Sequence, residues 1–384
     1  MPKVSVVMPA YNHERFVRAA IESVLMQTLD DLELCVTDDG STDSTADIVS
    51  SFKDPRIRFH RLRQNSGVCV ALNDAIRRSR GEYIAVLNSD DIFLSDKLRT
   101  QSALLDARAD LGAIFGMPEF IDDVDQVVPP SQTFYGNIFQ VENKPRHEWL
   151  RDFFFRGNSL CHPTVMIRRS CHDDIGLYDE RLAQVHDFDL WVRFIQRYQF
   201  LLMPEVMTLF RIVGGEGNAS APRPSVVTRL EWEFGKVLRH YAGIDEDLFA
   251  KAFENDLAQC NIDPALPRAA KLGWLAMSGR FMWTKRFGLD QLFEAVPAEG
   301  KNESSQAGIR ARDLISLAGE SDQYGRYASA RAATVINEMS AKIADLESVI
   351  SARSPLASDP VETAGSWLAK RFHSNKSKKE THDD

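Results

Sequence analysis

The sequence predicts an α/β protein: a mostly parallel sheet flanked by helices, followed by an α-helical extension. Three observations carry this. Four short apolar runs alternate with helix-patterned stretches before Asp91, two of those runs end in clustered carboxylates, and from Ser225 the strand signals give way to helical ones. Repeated strand-helix units of this kind build parallel sheets with right-handed crossovers.

Val4 to Met8 is a compact, largely β-branched run and reads as the first buried strand. Pro9-Ala10-Tyr11-Asn12 follows, then a helix with an apolar stripe of Phe16, Val17, Ala20, Ile21, Val24 and Leu25. No GxGxxG lies between them, which counts against a dinucleotide-binding dehydrogenase. Leu32, Leu34 and Val36 carry the second strand, which ends in Thr37-Asp38-Asp39-Gly40-Ser41-Thr42-Asp43. Gly40 permits a sharp turn there, and Ser41 or Thr42 can cap the next helix. Ile57, Phe59 and Leu62 alternate as a third strand. Asn65-Ser66-Gly67 then opens a helix that turns Val68, Ala71, Leu72, Ala75 and Ile76 inward and carries Arg77, Arg78 and Arg80 near its end. Tyr83 to Leu87 is the nearly continuous apolar run of a central strand, and it stops at Asn88-Ser89-Asp90-Asp91.

Beyond Asp91, Ser95 is positioned to cap a helix with Leu98, Leu104 and Leu105, and Gly112 to Phe120 is another strand. Asp122 to Arg146 loses all periodicity and holds Pro129-Pro130, Gly136 and Pro145, the mark of a functional loop, expected here to border an acceptor. Cys161 to Arg169 reads as a strand and Ile175 to Asp179 as a turn. A helix led by His186-Asp187 follows, with Phe188, Trp191, Val192 and Ile195 on one face. Met203 to Phe210 is the expected last strand. The glycine-rich stretch Arg211 to Ser220 is able to fold over a ligand.

The chemistry sits at the strand ends, where open α/β sheets bind ligands. Adjacent acids such as Asp90 and Asp91 repel each other unless positive charge lies beside them, and a divalent cation carrying phosphate oxygens answers that need. The plainer alternative is a polar turn capping a helix. Asp39 can accept hydrogen bonds from a base or ribose, or can serve as a solvated cap. Asp187 stands in a first helical turn, which the helix dipole favours with or without a catalytic role.

Bulk properties narrow the class. The chain has 384 residues, enough for an α/β domain and a smaller appendage, and 44% hydrophobic residues for its core. A net charge of −9 argues against nucleic acid as a partner. The sequence has no run of 18 apolar residues and no pattern of a signal peptide at its start, so a cytoplasmic location is expected. Five scattered cysteines fit reduced thiols better than a disulfide framework, and Cys161-His162 and Cys171-His172 match no zinc-ligand spacing.

VSVVMPAYN, TDDGSTD, GEYIAVLNSDD and HDFDLWVRF, in that order, resemble the family 2 glycosyltransferases of GT-A fold over about residues 1 to 220. The resemblance implies a nucleotide-sugar site at Pro9, Tyr11, Asp38, Asp39, Ser41, Asn88 and Ser89, with Asp39 on the base. It implies a Mn²⁺ or Mg²⁺ ion at Asp90, with Asp91 beside it, and Asp187 as catalytic base. The implied reaction is inverting transfer from a nucleoside-diphosphate sugar, with a UDP-sugar expected, to a hydroxyl of a saccharide or glycoconjugate acceptor in surface polysaccharide synthesis. Two positions depart from the family pattern: Asn88 replaces the first acid of the DXD element, and His186 replaces the Glu of the ED pair. Both favour the alternative of a non-catalytic nucleotide-sugar-binding or assembly protein.

The remainder divides into a helical subdomain over 223–320, a coiled-coil-like helix over 321–353 and a basic tail over 354–384, behind a catalytic domain of 1–222. Trp274, Phe281, Trp283 and Phe287 are the expected packing face of the subdomain. Ala332, Ile336, Met339, Ile343, Leu346 and Ile350 follow spacings of four and three, the a/d pattern of a coiled coil joining two copies or of a helix docked on its own domain. Trp367, Leu368 and Phe372 among lysines and arginines mark a tail that is either disordered or in peripheral contact with an anionic membrane.

Overall fold

The structure is a computed structural model and describes residues 1–213, 218–296, 308–322 and 326–353. One sheet holds β1 (Val4–Ala10), β2 (Leu32–Asp38), β3 (Ile57–Arg61), β4 (Tyr83–Val86), β5 (Ile92–Phe93), β6 (Leu111–Ile121), β7 (Met166–Arg168) and β8 (Gln199–Arg211). Their spatial order is β3-β2-β1-β4-β7-β6-β8-β5. The first four are mutually parallel and β6 runs parallel to β8, whereas β7 is antiparallel to β4 and β6, and β5 is antiparallel to β8.

The chain proceeds outward from β1 through β2 to β3, then returns to lay β4 on the other side of β1. That reversal opens a crevice at the carboxyl ends of β1 and β4, where ligands bind in such sheets. Register brings the two acidic loops to it: Ala10 lies opposite Asp38, Val7 lies opposite Val86, and Leu87 donates its N–H to the Val7 carbonyl.

Side-chain alternation along β1 explains the layering. Val4, Val6 and Met8 pack under α1 (Val17–Leu25), whose buried Val17, Ala20, Ile21 and Val24 are the stripe read from sequence. Val7 points the other way, into the core that holds Leu72, Ala75 and Ile76. The remaining helices of the α/β body are α2 (Thr45–Ser51), α3 (Val68–Arg78), α4 (Lys97–Ala107), α5 (Arg146–Arg156), α6 (Arg169–Ile175) and α7 (His186–Ile195).

Two strands differ most from expectation. Cys161 to Arg169 is not one strand: only Met166–Arg168 pairs, and His162–Thr164 forms a single 3-10 turn because Pro163 has no N–H to give a ladder. The last strand is longer than Met203 to Phe210, since β6 offers a parallel partner out to Ile121 opposite Arg211. Residues 214–217 of the glycine-rich stretch lie outside the described residues.

The second half is helical, with α8 (Pro224–Val237), α9 (Glu246–Gln259), α10 (Arg268–Ser278), α11 (Met282–Ala295) and α12 (Ala311–Glu320). One apolar core runs from Val86 and Phe115 in the sheet through Phe153 and Trp191 to Phe253 and Phe287. Trp283 stacks against both Phe234 and Phe281, with ring centroids 4.5 and 5.2 Å apart. Met1–Ser321 forms one compact unit, so the boundary expected at residue 222 falls inside it. The other unit is Asp322–Asp384, whose described part is α13 (Arg326–Arg353). The basic tail, 354–384, lies outside the described residues. Among the described residues no helix is long and apolar enough to cross a membrane.

Candidate active site

The donor side of the crevice is built by hydrogen bonds between the first two strand ends. Ser41 accepts the Asn12 N–H at 3.0 Å, and Asn12, in the left-handed region at φ 52°, accepts the Thr42 N–H at 2.9 Å. Asp39 accepts the N–H groups of Ser66 at 2.7 Å and Gly67 at 2.9 Å, which anchors the turn before α3. Burial pushes the Asp39 carboxyl above its usual range. Gly40 is required where it stands: φ is +72°, and a Cβ would come within 2.5 Å of the Gln64 backbone. Asp38 is fully buried. Its Oδ2 accepts the Ser41 N–H and faces Arg61, while Oδ1 has no partner in the structure. Pro9 pairs opposite Thr37, and Tyr11 is exposed beside it.

At the end of β4 the two acids have different surroundings. Asp91 is buried, with Oδ1 accepting the Arg211 N–H at 2.8 Å and Oδ2 accepting Asn88 Nδ2 at 2.9 Å. Burial and the neighbouring Asp90 charge drive its pKa well above the ordinary carboxylate range. Asp90 retains solvent access and lies 3.9 Å from His13 Nδ1, which hydrogen-bonds the buried Ser89 hydroxyl at 2.7 Å. Among the described residues no three His, Cys, Asp or Glu side chains converge to hold a metal. The donor set nevertheless fits a divalent cation of the Mg²⁺ or Mn²⁺ type, because such ions are held by one or two carboxylates together with substrate phosphates and water. Asp90 would hold it, and Asp91 would brace the loop from behind.

Asp187 opens α7. Its Oδ2 accepts Asn158 Nδ2 at 2.8 Å and its Oδ1 accepts the Phe188 N–H at 2.7 Å. Burial raises its pKa, against the pull of His186 and those two hydrogen bonds. His186 itself has both ring nitrogens buried with no hydrogen-bond partner among the described residues and packs 5.4 Å from the His162 ring. The Cys161 thiol lies within electrostatic reach of both Asp91 and Asp187, and burial together with those two charges raises its pKa. Tyr135, from the irregular loop, is raised by burial and by the charges of Cys161, Asp91 and Asp187. The approach to Asp187 is fixed from α8, where buried Glu233 accepts the N–H groups of Ala183, Gln184 and Val185 at 2.9, 2.7 and 3.0 Å.

A family model described as Glycosyl transferase family 2 matches residues 5–176. The uncharacterized glycosyltransferase MJ1057 of Methanocaldococcus jannaschii is 32% identical over 218 residues, which are 55% of this chain and 71% of that protein. The chain belongs to glycosyl transferase family 2. Another relative, the Escherichia coli UDP-Glc:alpha-D-GlcNAc-diphosphoundecaprenol beta-1,3-glucosyltransferase WfgD, is 35% identical over 140 residues, 36% of this chain and 55% of that protein. The structure of S. aureus TarS 1-349 in complex with UDP-GlcNAc aligns with a TM-score of 0.52 at 17% identity. It covers 75% of this chain and 89% of that one, a likeness of fold.

Within this family 2 glycosyltransferase, Pro9, Tyr11, Asp38, Asp39, Ser41, Asn88, Ser89, Asp90 and Asp91 gather at one switch point, and Asp187 stands at the start of α7. Asp189, the nearest other acid on α7, is tied to Arg193 at 2.8 Å and His240 at 2.7 Å and belongs to the packing of the helix. Three residues escaped the sequence reading. Asn158 holds Asp187 and Glu233 holds the turn before it. Arg211, 2% exposed, donates to the carbonyls of Asp90 and Asp122 at 2.7 and 2.6 Å and joins the acidic loop to the irregular one. Arg211 alone carried a signal, as a charge ending an apolar strand.

Proposed function

We propose that this enzyme transfers a sugar, with inversion, from a nucleoside-diphosphate sugar of the UDP type to a hydroxyl of a saccharide or glycoconjugate acceptor in cell-surface polysaccharide synthesis. The observation that carries the reading is Asp187, a half-buried carboxylate of raised pKa held by Asn158 at the start of α7. The acceptor hydroxyl gives its proton to Asp187 as its oxygen bonds to the anomeric carbon, and the bond from that carbon to the diphosphate breaks on the opposite side. Asp90 would hold a divalent cation, which when bound would supply positive charge for the leaving diphosphate. Asp38 and Asp39 shape the strand end that would receive the nucleoside, Asp38 from within and Asp39 through the turn it anchors. WfgD's name supports a UDP-sugar and a membrane-linked glycan acceptor. TarS shows that this fold receives UDP-GlcNAc. Release of UDP from a panel of UDP-sugars, with and without Mn²⁺, tests the reading. Nucleotide-sugar binding without turnover would favour a sensor instead.

The tether predicts a pH effect. Asn158 donates to the ionised form of Asp187, so Asn158→Ala should raise the carboxyl pKa further. A base works only when ionised, and activity falls as pH drops through its pKa. The acid limb of the pH-rate profile should therefore move to higher pH, with the alkaline side unchanged.

The irregular loop supplies an acceptor platform. Phe134 is 42% exposed, and its ring lies 4.3 Å from that of Tyr135, which in turn packs on Phe120, Phe139 and Phe210. Exposed rings on a rigid aromatic base suit the apolar face of a sugar. Phe134→Ala should raise the acceptor KM about tenfold, the cost of one good ring contact, while donor hydrolysis stays unchanged.

A further inference from the structure

We propose that α13 is one strand of a parallel, two-stranded coiled coil formed between two copies of this chain. The helix has 28 residues, about 42 Å at 1.5 Å per residue. Ile336, Met339, Ile343 and Leu346 along it are 55–61% exposed, and every side chain described between 329 and 348 is exposed. Large apolar side chains so spaced on one helix are the pattern of an unfilled a/d seam.

The identity of the residues selects the occupant. Spacings of four and three place Ile336, Ile343 and Ile350 at a, and Ala332, Met339 and Leu346 at d. A β-branched residue at a with Leu or Met at d favours two parallel strands. Charge agrees independently. Lys342 then falls at g and Glu347 at the e position of the next heptad, the two places that face each other across a parallel dimer. Symmetry gives that attraction twice. An antiparallel pairing sets g against g and e against e, so Lys342 would meet Val335, Val349 or another lysine, and no attractive pair forms.

The same charges disfavour a lipid surface as occupant. Helices that lie in a membrane interface are rich in Lys and Arg with Trp or Phe on the apolar face. Between 332 and 350 this chain has Lys342 against Glu338, Asp345 and Glu347, and no aromatic residue. The assembly stands or falls apart from the reaction.

The test uses the full chain with Cys260→Ser, since Cys260 is the exposed native cysteine and Cys35, Cys69, Cys161 and Cys171 are buried. Sedimentation equilibrium should give a dimer. Ala332→Cys on that background should crosslink two chains on mild oxidation, because only a parallel, in-register seam brings the two copies of residue 332 together. Ile343→Asp should yield a monomer with unchanged melting of the Met1–Ser321 unit. Lys342→Glu should weaken the dimer about three- to tenfold, and adding Glu347→Lys should restore it. A monomer at the highest soluble concentration, a trimer or tetramer, a dimer that survives Ile343→Asp, or a dimer that never crosslinks at 332 overturns the proposal. So does a monomer that co-sediments with phosphatidylserine vesicles and loses that binding on Ile343→Asp.

Discussion

Asp187→Asn is expected to lower turnover by about 10²- to 10⁴-fold while nucleotide affinity stays near that of the parent. The amide retains one oxygen for the Phe188 N–H and the shape of the carboxylate, but its NH2 then faces the Asn158 NH2 and that hydrogen bond is lost, so a modest fall in melting temperature is expected beside the loss of rate. What it loses is the capacity to take a proton. Asp189 cannot stand in, because its two oxygens are engaged by His240 and Arg193. Turnover, nucleotide affinity and melting temperature measured together separate the possibilities. Near-normal turnover would move the base elsewhere, and a large loss of melting temperature with proportionate loss of activity would reduce Asp187 to a helix-capping role.

Asp90→Ala is expected to abolish the metal dependence of nucleotide binding and to cut turnover by about 10²-fold or more, the scale of a lost Lewis-acid contact. Asp91 cannot replace it, since both its oxygens face inward to Arg211 and Asn88. The same change removes a negative charge from beside a buried acid, so the variant should melt at or above the temperature of the parent. Calorimetric titration with a nucleoside diphosphate and Mn²⁺, run beside a melting curve, checks both halves. Retained metal-assisted affinity would place the cation elsewhere.

The parts legible in the sequence are those fixed by local pattern. The runs Val4 to Met8 and Tyr83 to Leu87 became buried central strands because consecutive apolar residues can be covered on both faces only there. The strand-end acids followed from the same runs. The surplus length read from Cys161 to Arg169 failed at Pro163, whose effect on the ladder outweighs the β-branched residues around it. Asn158, Arg211 and Glu233 were beyond local reading because their partners lie 29, 121 and 49 residues away. Asp39 illustrates the middle case: its place was legible, yet its oxygens anchor the backbone of Ser66 and Gly67, a task that only the folded chain reveals.

The grip of Glu233 on residues 183 to 185 bears on how such enzymes can be taken apart and recombined. The matched family segment stops at residue 176, short of Asp187, and the carboxylate that steadies the turn before Asp187 arrives from a helix beginning at Pro224. A chain cut at residue 222 would keep Asp187 yet free three N–H donors ahead of it and leave the turn over residues 183 to 185 without its anchor. Chimaeras that graft the nucleotide-binding half of one relative onto the helices of another would inherit a mismatched latch unless the acid and the turn travel as a pair. The smallest exchangeable piece of this enzyme is therefore set by that latch.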